Sequence, residues 1–245
     1  MSDRAGQRGQ TLIACAVVAL LVLAACQPLR KVQVVSNAPA FREVYFETKG
    51  NDPVRQGRYE KTGPDGKPWD EGYYRNGLRD STWVERAYPG ATLRGEGTYQ
   101  NNQRTGTWTF YSTLNEVEQV YNYATQQWET LVTATERDWQ VSTDGRTFFK
   151  ARVDQGPAMV GGEAALMRVI ASNLKKEPST AVRFVITEFT VTPQGEVIEP
   201  VILKGVCPSC DSEVMRVLQL LPDGWSPAVF QGEPVYAKYR VPIRF

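Results

Sequence analysis

The sequence predicts two unlike parts in one chain: an all-β array of hairpins, then a small α+β domain. The second part reads helix, strand, strand, helix, strand, with an antiparallel sheet. Three observations carry this. A block rich in Gly, Tyr, Asn and Trp recurs 25 residues further along the chain. From Gly161 onward the apolar residues fall at helical spacing. The closing residues alternate apolar and polar, the period of a strand with one covered face.

A chain of 245 residues accommodates one large domain or two small ones. Hydrophobic residues at 42% and charged residues at 22% suffice to bury a core. There is no histidine, so Ser-His-Asp and Cys-His catalysis, histidine metal sites and a histidine pH switch are excluded. Lys and Arg number 28 against 27 Asp and Glu. Without the first 25 residues, which hold Arg4, Arg8 and Asp3, the two signs are equal. That balance gives no reason to expect nucleic acid as a partner.

Residues 1–25 read as an address. Arg4 and Arg8 precede an apolar run from Leu12 to Ala25 with no charge in it. As a helix this run spans about 21 Å, short of a hydrocarbon core of roughly 30 Å. A basic start, a short apolar middle and small residues at the end describe a secretory signal peptide. Leu23-Ala24-Ala25-Cys26 resembles the lipobox of bacterial lipoproteins. The resemblance implies a mature chain that begins at Cys26 and is held by acyl chains, anchored to a membrane without spanning it. Cys15 would be discarded with the signal. Gln27, following the lipidated cysteine, favours the outer membrane by analogy with the sorting of such proteins.

Residues 26–42 read as an irregular tether, and 43–128 as the repeats. Gly72-Tyr73-Tyr74-Arg75-Asn76-Gly77 running to Trp83 recurs as Gly97-Thr98-Tyr99-Gln100-Asn101-Asn102 running to Trp108. A degenerate copy starts at Gly57-Arg58-Tyr59, and a truncated one runs from Tyr121-Asn122-Tyr123 to Trp128. Each unit is a hairpin, because Asn76-Gly77 supplies the positive φ of a tight turn between aromatic strands. One hairpin cannot cover its own aromatic face, so copies stack, and their Tyr and Trp are expected to interlock as core. The pattern resembles MORN-type repeats, with Ser81 and Asn102 standing where that form has Gly.

Residues 129–156 change character and read as a connector, with a strand near Arg146 to Val153. In 157–245, Leu166, Val169, Ile170 and Leu174 share one face of a helix closed by Pro178. Val182 to Thr192 is a strand whose alternation slips between Ile186 and Phe189, so a bulge sits there or both faces are covered. Thr192-Pro193-Gln194-Gly195 is a turn, and Glu196 to Lys204 returns from it. Ser209 or Asp211 would cap the next helix, which carries Val214, Val217, Leu218 and Leu221 on one side. In the last strand Val235, Ala237, Tyr239, Val241, Ile243 and Phe245 point one way, and Tyr236, Lys238, Arg240 and Arg244 the other.

Pro157 with Gly161-Gly162 before a helix, then Phe189, Val191, Gly195 and Val197 at fixed spacing, resemble the C-terminal domain of the energy transducer TonB. Trp225-Ser226-Pro227-Ala228, Gly232, Pro234-Val235 and Val241-Pro242-Ile243-Arg244-Phe245 extend the resemblance. It implies a periplasmic, non-enzymatic domain linked to TonB-type transmembrane transport. Such a domain takes up an extended segment of an envelope protein, for example a TonB-dependent outer-membrane transporter, as an added strand. The last strand would be the edge, displaying Tyr236, Lys238 and Arg240. Charged residues on an edge also serve to prevent pairing, and both readings stay open. A membrane-spanning N-terminal helix and a long Pro-rich linker, which a force transducer needs, are not apparent. A structural spacer without transduction is a further alternative.

The rival site is Cys207-Pro208-Ser209-Cys210 ahead of a helix, read either as a local disulfide or as a thiol–disulfide active pair. Two sulfurs without histidine cannot complete a zinc site. No metal or cofactor is expected. Among the carboxylates, Glu96 with Glu116 and Asp65 with Asp70 are not set apart from a solvated hairpin face, so no enzyme is expected.

Overall fold

The computed structural model describes residues 28–37, 39–87, 92–133, 137–175, 183–222 and 224–244. The expected signal peptide, Cys26, Pro178 and Phe245 lie outside them. Two compact units emerge: one runs to Thr92 and includes Glu96–Thr105, and the other comprises Leu93–Gly95 and the chain from Gly106 onward.

Nine strands follow one another in sequence order as an antiparallel sheet: β1 Leu29–Asn37, β2 Ala40–Thr48, β3 Arg55–Thr62, β4 Pro68–Arg75, β5 Leu78–Arg86, β6 Leu93–Gln100, β7 Gln103–Tyr111, β8 Val117–Asn122 and β9 Gln127–Leu131. The predicted tether is largely strand. β1 pairs with β2 from Leu29↔Thr48 to Asn37↔Ala40, and its Val32, Val34 and Val35 are β-branched residues that suit a pleated surface.

Asn76 (φ 51°) and Gly77 (φ 80°) form the positive-φ turn that their sequence predicts. In the next hairpin Asn101 (φ 51°) and Asn102 (φ 67°) do the same without glycine. Asparagine tolerates this region, and here it does more. The Asn102 side-chain oxygen accepts the Arg79 N–H at 2.6 Å, while the Asn102 N–H donates to the Arg79 carbonyl at 2.9 Å. Gly77 makes the corresponding bond to the Arg55 carbonyl at 2.8 Å. Ser81 (φ 61°) holds the left-handed conformation that Gly106 (φ 60°) holds one repeat later, at a steric cost glycine avoids.

Tyr59, Trp69, Trp83 and Tyr99 of the first unit are core, whereas Tyr73 is exposed. Trp83 is fully buried, 5.4 Å from the Tyr59 ring, 5.2 Å from Tyr74 and 5.9 Å from Tyr99. A Cβ on Gly72 would lie 2.2 Å from the Trp83 ring, so only glycine admits the indole there. Arg79 stacks on Trp83 at 4.4 Å. Buried Glu85 accepts from Tyr99 Oη at 2.7 Å, Arg104 at 2.8 Å and Arg79 at 3.1 Å. Burial alone would raise its pKa, but Arg104, the Tyr99 hydroxyl and Arg79 together hold it below the ordinary carboxylate value.

The C-terminal part of the second unit is α+β. A sheet of order β11-β10-β15-β12-β13 is formed by β10 Trp139–Ser142, β11 Phe149–Ala151, β12 Phe184–Val191, β13 Val197–Lys204 and β15 Glu233–Arg244, with β14 Ala228–Phe230 pairing with β15. Helices α1 Gly162–Asn173 and α2 Pro208–Leu218 contribute Leu166, Ile170, Val214, Val217 and Leu218 to a core shared with Val185, Phe189, Val191, Trp225, Val241 and Ile243. Of the two readings of the slip in β12, that of covered faces holds: residues 187–191 are all buried, and β12 pairs with β15 without a register shift. The two register shifts against β13 place their extra residues in β13.

Helix starts depart from expectation. Neither Ser209 nor Asp211 caps α2: Cys207 is the N-cap, its sulfur accepting the Cys210 N–H at 3.1 Å with Pro208 in the first turn. Asp211 instead accepts the Val206 N–H at 3.0 Å. α1 has no side-chain cap of its own. Gln119 of β8, almost wholly buried, accepts the Gly161 N–H at 2.7 Å and donates to the Met159 carbonyl at 3.2 Å.

Candidate functional site

The last strand is where the expected site falls. Its alternation is realised as read: Val235, Ala237, Val241 and Ile243 are buried, while Arg240, Pro242 and Arg244 are exposed. Along one border β12 pairs with it continuously, from Val191↔Ala237 to Phe184↔Arg244.

On the other border β10 pairs only at Ser142↔Tyr236 and Val141↔Ala237, while β14 pairs with Glu233–Val235, ahead of the ladder with β12. The expectation that β15 is simply the edge of the sheet is therefore corrected at Tyr236 and Ala237, where β10 pairs along the border opposite β12. The physical reason is burial: Trp139 and Val141 of β10 join Ala228, Val235 and Ala237 in one apolar cluster, which pairing closes off from water. Beyond Ala237 no strand lies along this border among the described residues. A strand carries proline where the missing N–H would face an unpaired border, and Pro242 belongs to this stretch.

Tyr236, Lys238 and Arg240 share the face opposite the core, as their spacing requires. The chain itself engages them. A Cβ on Gly145 would come 3.1 Å from the Tyr236 ring, so the loop after β10 lies on that ring. Lys238 Nζ sits 4.8 Å from the Phe148 ring centre and 3.3 Å from Glu188, and Arg240 donates to Glu188 at 3.0 Å. Glu188 is only 7% exposed. The loop is pinned by Asp144, which accepts from Ser142 Oγ, Arg146 N and Thr147 N. Those backbone bonds, Thr147 foremost, lower its pKa to about 2.

Beyond Ala237 β10 and β15 part, leaving a cleft of about 230 Å³. Arg137, Asp138, Trp139 and Gln140 line one side, Lys150 comes from β11, and Glu188, Lys238 and Arg240 complete it. Arg137 stacks on Trp139 at 3.8 Å. The β10–β11 hairpin does not stand out in the sequence, since its strands are four and three residues long. The readable signal was Trp139 and Val141 alternating ahead of Asp144-Gly145.

The sulfurs of Cys207 and Cys210 are bonded, with 5.1 Å between their Cα atoms. Among the described residues no group of three or more His, Cys, Asp or Glu is placed to hold a metal ion. Nor is any described helix long and apolar enough to cross a membrane.

With this geometry in place, comparison with known families is informative. Residues 184–245 match the family described as Gram-negative bacterial TonB protein C-terminal. The match covers β12, β13, α2, β14 and β15 and leaves out α1 and the β10–β11 hairpin. No curated protein and no solved structure matches the chain.

Proposed function

We propose that this protein docks an extended segment of another envelope protein along the second border of β15, over Lys238–Arg244. One observation carries the reading: a domain that matches the TonB C-terminal family has a strand whose second border is paired by β10 at Tyr236 and Ala237 and, among the described residues, has no partner strand beyond them. Main-chain hydrogen bonds would supply affinity there, and every second side chain selectivity. That family is an interaction and energy-transducing domain of the bacterial envelope, in keeping with a binding role and no catalysis. A TonB-dependent outer-membrane transporter is the partner this reading favours.

Photo-crosslinking in intact cells tests it. A photoreactive residue at Arg244 is expected to give a discrete adduct with an envelope protein. The same residue at Lys204, on β13, is expected to give none. Equal labelling at both positions, or none at Arg244, would sink the docking role. Lys238→Pro, which removes a donor from β15, should abolish the Arg244 adduct.

The resemblance to a lipobox supports a lipid anchor at Cys26, with the repeats as MORN-like spacer. Palmitate labelling that persisted in Cys26→Ser would refute the anchor. A second reading uses the Cys207–Cys210 disulfide at the N-terminus of α2, a position that favours thiolate in the reduced form. Insulin reduction lost in Cys207→Ser would support it, and absence of turnover in the unsubstituted chain would end it.

A further inference from the structure

The structure assigns a chemical preference to the docked segment: we propose that it presents an acidic side chain to the cationic cleft between the β10–β11 hairpin and β15. This rests on the docking reading above and names the kind of partner it selects.

Three cations belong to one face. Ser142 pairs with Tyr236, so Gln140, two residues earlier, lies on the face that carries Tyr236, Lys238 and Arg240. Gln140 is opposite Lys150, which brings Lys150 to that face as well. Lys150 thus stands on one side of the gap where β15 lacks a partner, and Lys238 and Arg240 on the other. A strand entering antiparallel to β15 would run in line with β10 and place every second side chain between them.

The acids of the cleft do not cancel this charge toward solvent. Glu188 is buried beneath Lys238 and Arg240, whereas the Arg240 side chain keeps 62% of its surface exposed. Asp138 lies 4.0 Å from Arg152. Lys150 is exposed and forms no ion pair among the described residues. An incoming carboxylate therefore meets Lys150 and the outer edge of the Arg240 guanidinium, while an incoming ammonium meets those like charges with Asp138 as the exposed carboxylate of the lining. Lys150 lies outside the segment that matches the TonB family, so this selectivity belongs to the chain's own added hairpin.

The test measures fluorescence anisotropy of end-blocked peptides of alternating Thr and Val, with Glu, Gln or Lys at the centre, against the full chain in detergent. An exposed cross-strand ion pair shifts an equilibrium about two- to fivefold. With two cations available, the Glu peptide should bind roughly fivefold tighter than the Gln peptide and more than about tenfold tighter than the Lys peptide. The preference should shrink as salt is added. Lys150→Glu, at an exposed position that leaves Glu188 and its partners intact, should bring the Lys peptide to or above the Glu peptide. Equal binding of all three would overturn the acidic preference and leave strand docking standing. Equal binding of the Glu peptide and its backbone N-methylated form would remove strand docking and the proposal with it, as would failure of every peptide to bind.

Discussion

The hairpin array and the C-terminal domain bury their aromatic side chains by different means. In the array, Trp83 packs with Tyr59, Tyr74 and Tyr99, Arg79 lies over the Trp83 and Tyr99 rings, and Glu85 bonds Arg79 and Tyr99. Its contacts are local in sequence: Arg79 reaches Tyr99 across 20 residues and Arg104 reaches Glu85 across 19. In the C-terminal domain, Phe189 and Trp225 sit among aliphatic side chains from two helices and a sheet. There Thr187 donates to the Val241 carbonyl 54 residues away, and Gln155 to Ser226 across 71. An array of similar units can lose one unit's packing locally, whereas a single shared core responds as a whole.

The sharpest way to break the comparison is to remove one aromatic from each part. Phe189→Ala should cost about 3–5 kcal/mol and expose β12, β13 and β15 to hydrogen exchange together. Trp83→Ala should cost a similar amount, with fast exchange confined to β3–β6. Global exchange in the second variant would show that the array is as cooperative as the domain.

Next in size is the charge buried within the array. Glu85→Ala leaves Arg79 and Arg104 facing a site they were built to neutralise. Because both guanidinium groups keep some exposure, a loss of about 2 kcal/mol is expected in denaturant unfolding, below the range for fully buried pairs. The sign in pH follows from the lowered pKa. The contribution is complete above the unfolded carboxylate value and disappears as pH falls through the folded one. The Glu85→Ala variant should lack that part of the acid dependence.

A smaller effect sharpens the repeat itself. Ser81→Gly should stabilise by about 0.5–1 kcal/mol, by relieving a left-handed serine, and Gly106→Ser should destabilise by a comparable amount. Equal stability for both variants would show that the two repeats do not share this backbone requirement. The least effect concerns Asp144, whose carboxylate keeps its loop on Tyr236. Its pKa is about 2 against an ordinary 3.8, so its contribution is present above 3.8 and lost as pH falls through about 2. A carboxyl NMR titration with a midpoint near 3.8 would show that the loop is not held.

Much of this architecture was legible residue by residue. Asn76-Gly77 marked a hairpin because few residue pairs tolerate two positive φ values, and the apolar spacing of α1 and α2 marked helices because that spacing places one face inward. The strict alternation after Val235 marked both the faces of β15 and the side carrying Lys238 and Arg240. Less legible were β10 and β11, whose short runs fall below what periodicity distinguishes. The cap of α1 by Gln119 was hidden altogether, since it comes from a residue more than 40 positions earlier.

Local chemistry alone therefore determined where this chain turns, which residues face inward and which carry charge. Each of those preferences is expressed within a few residues of backbone. What only the tertiary structure decided is how far β10 accompanies the final strand and that Lys150 arrives beside Arg240. Strand neighbours are chosen by the apolar surface that pairing removes from water, and that surface exists only once distant segments meet.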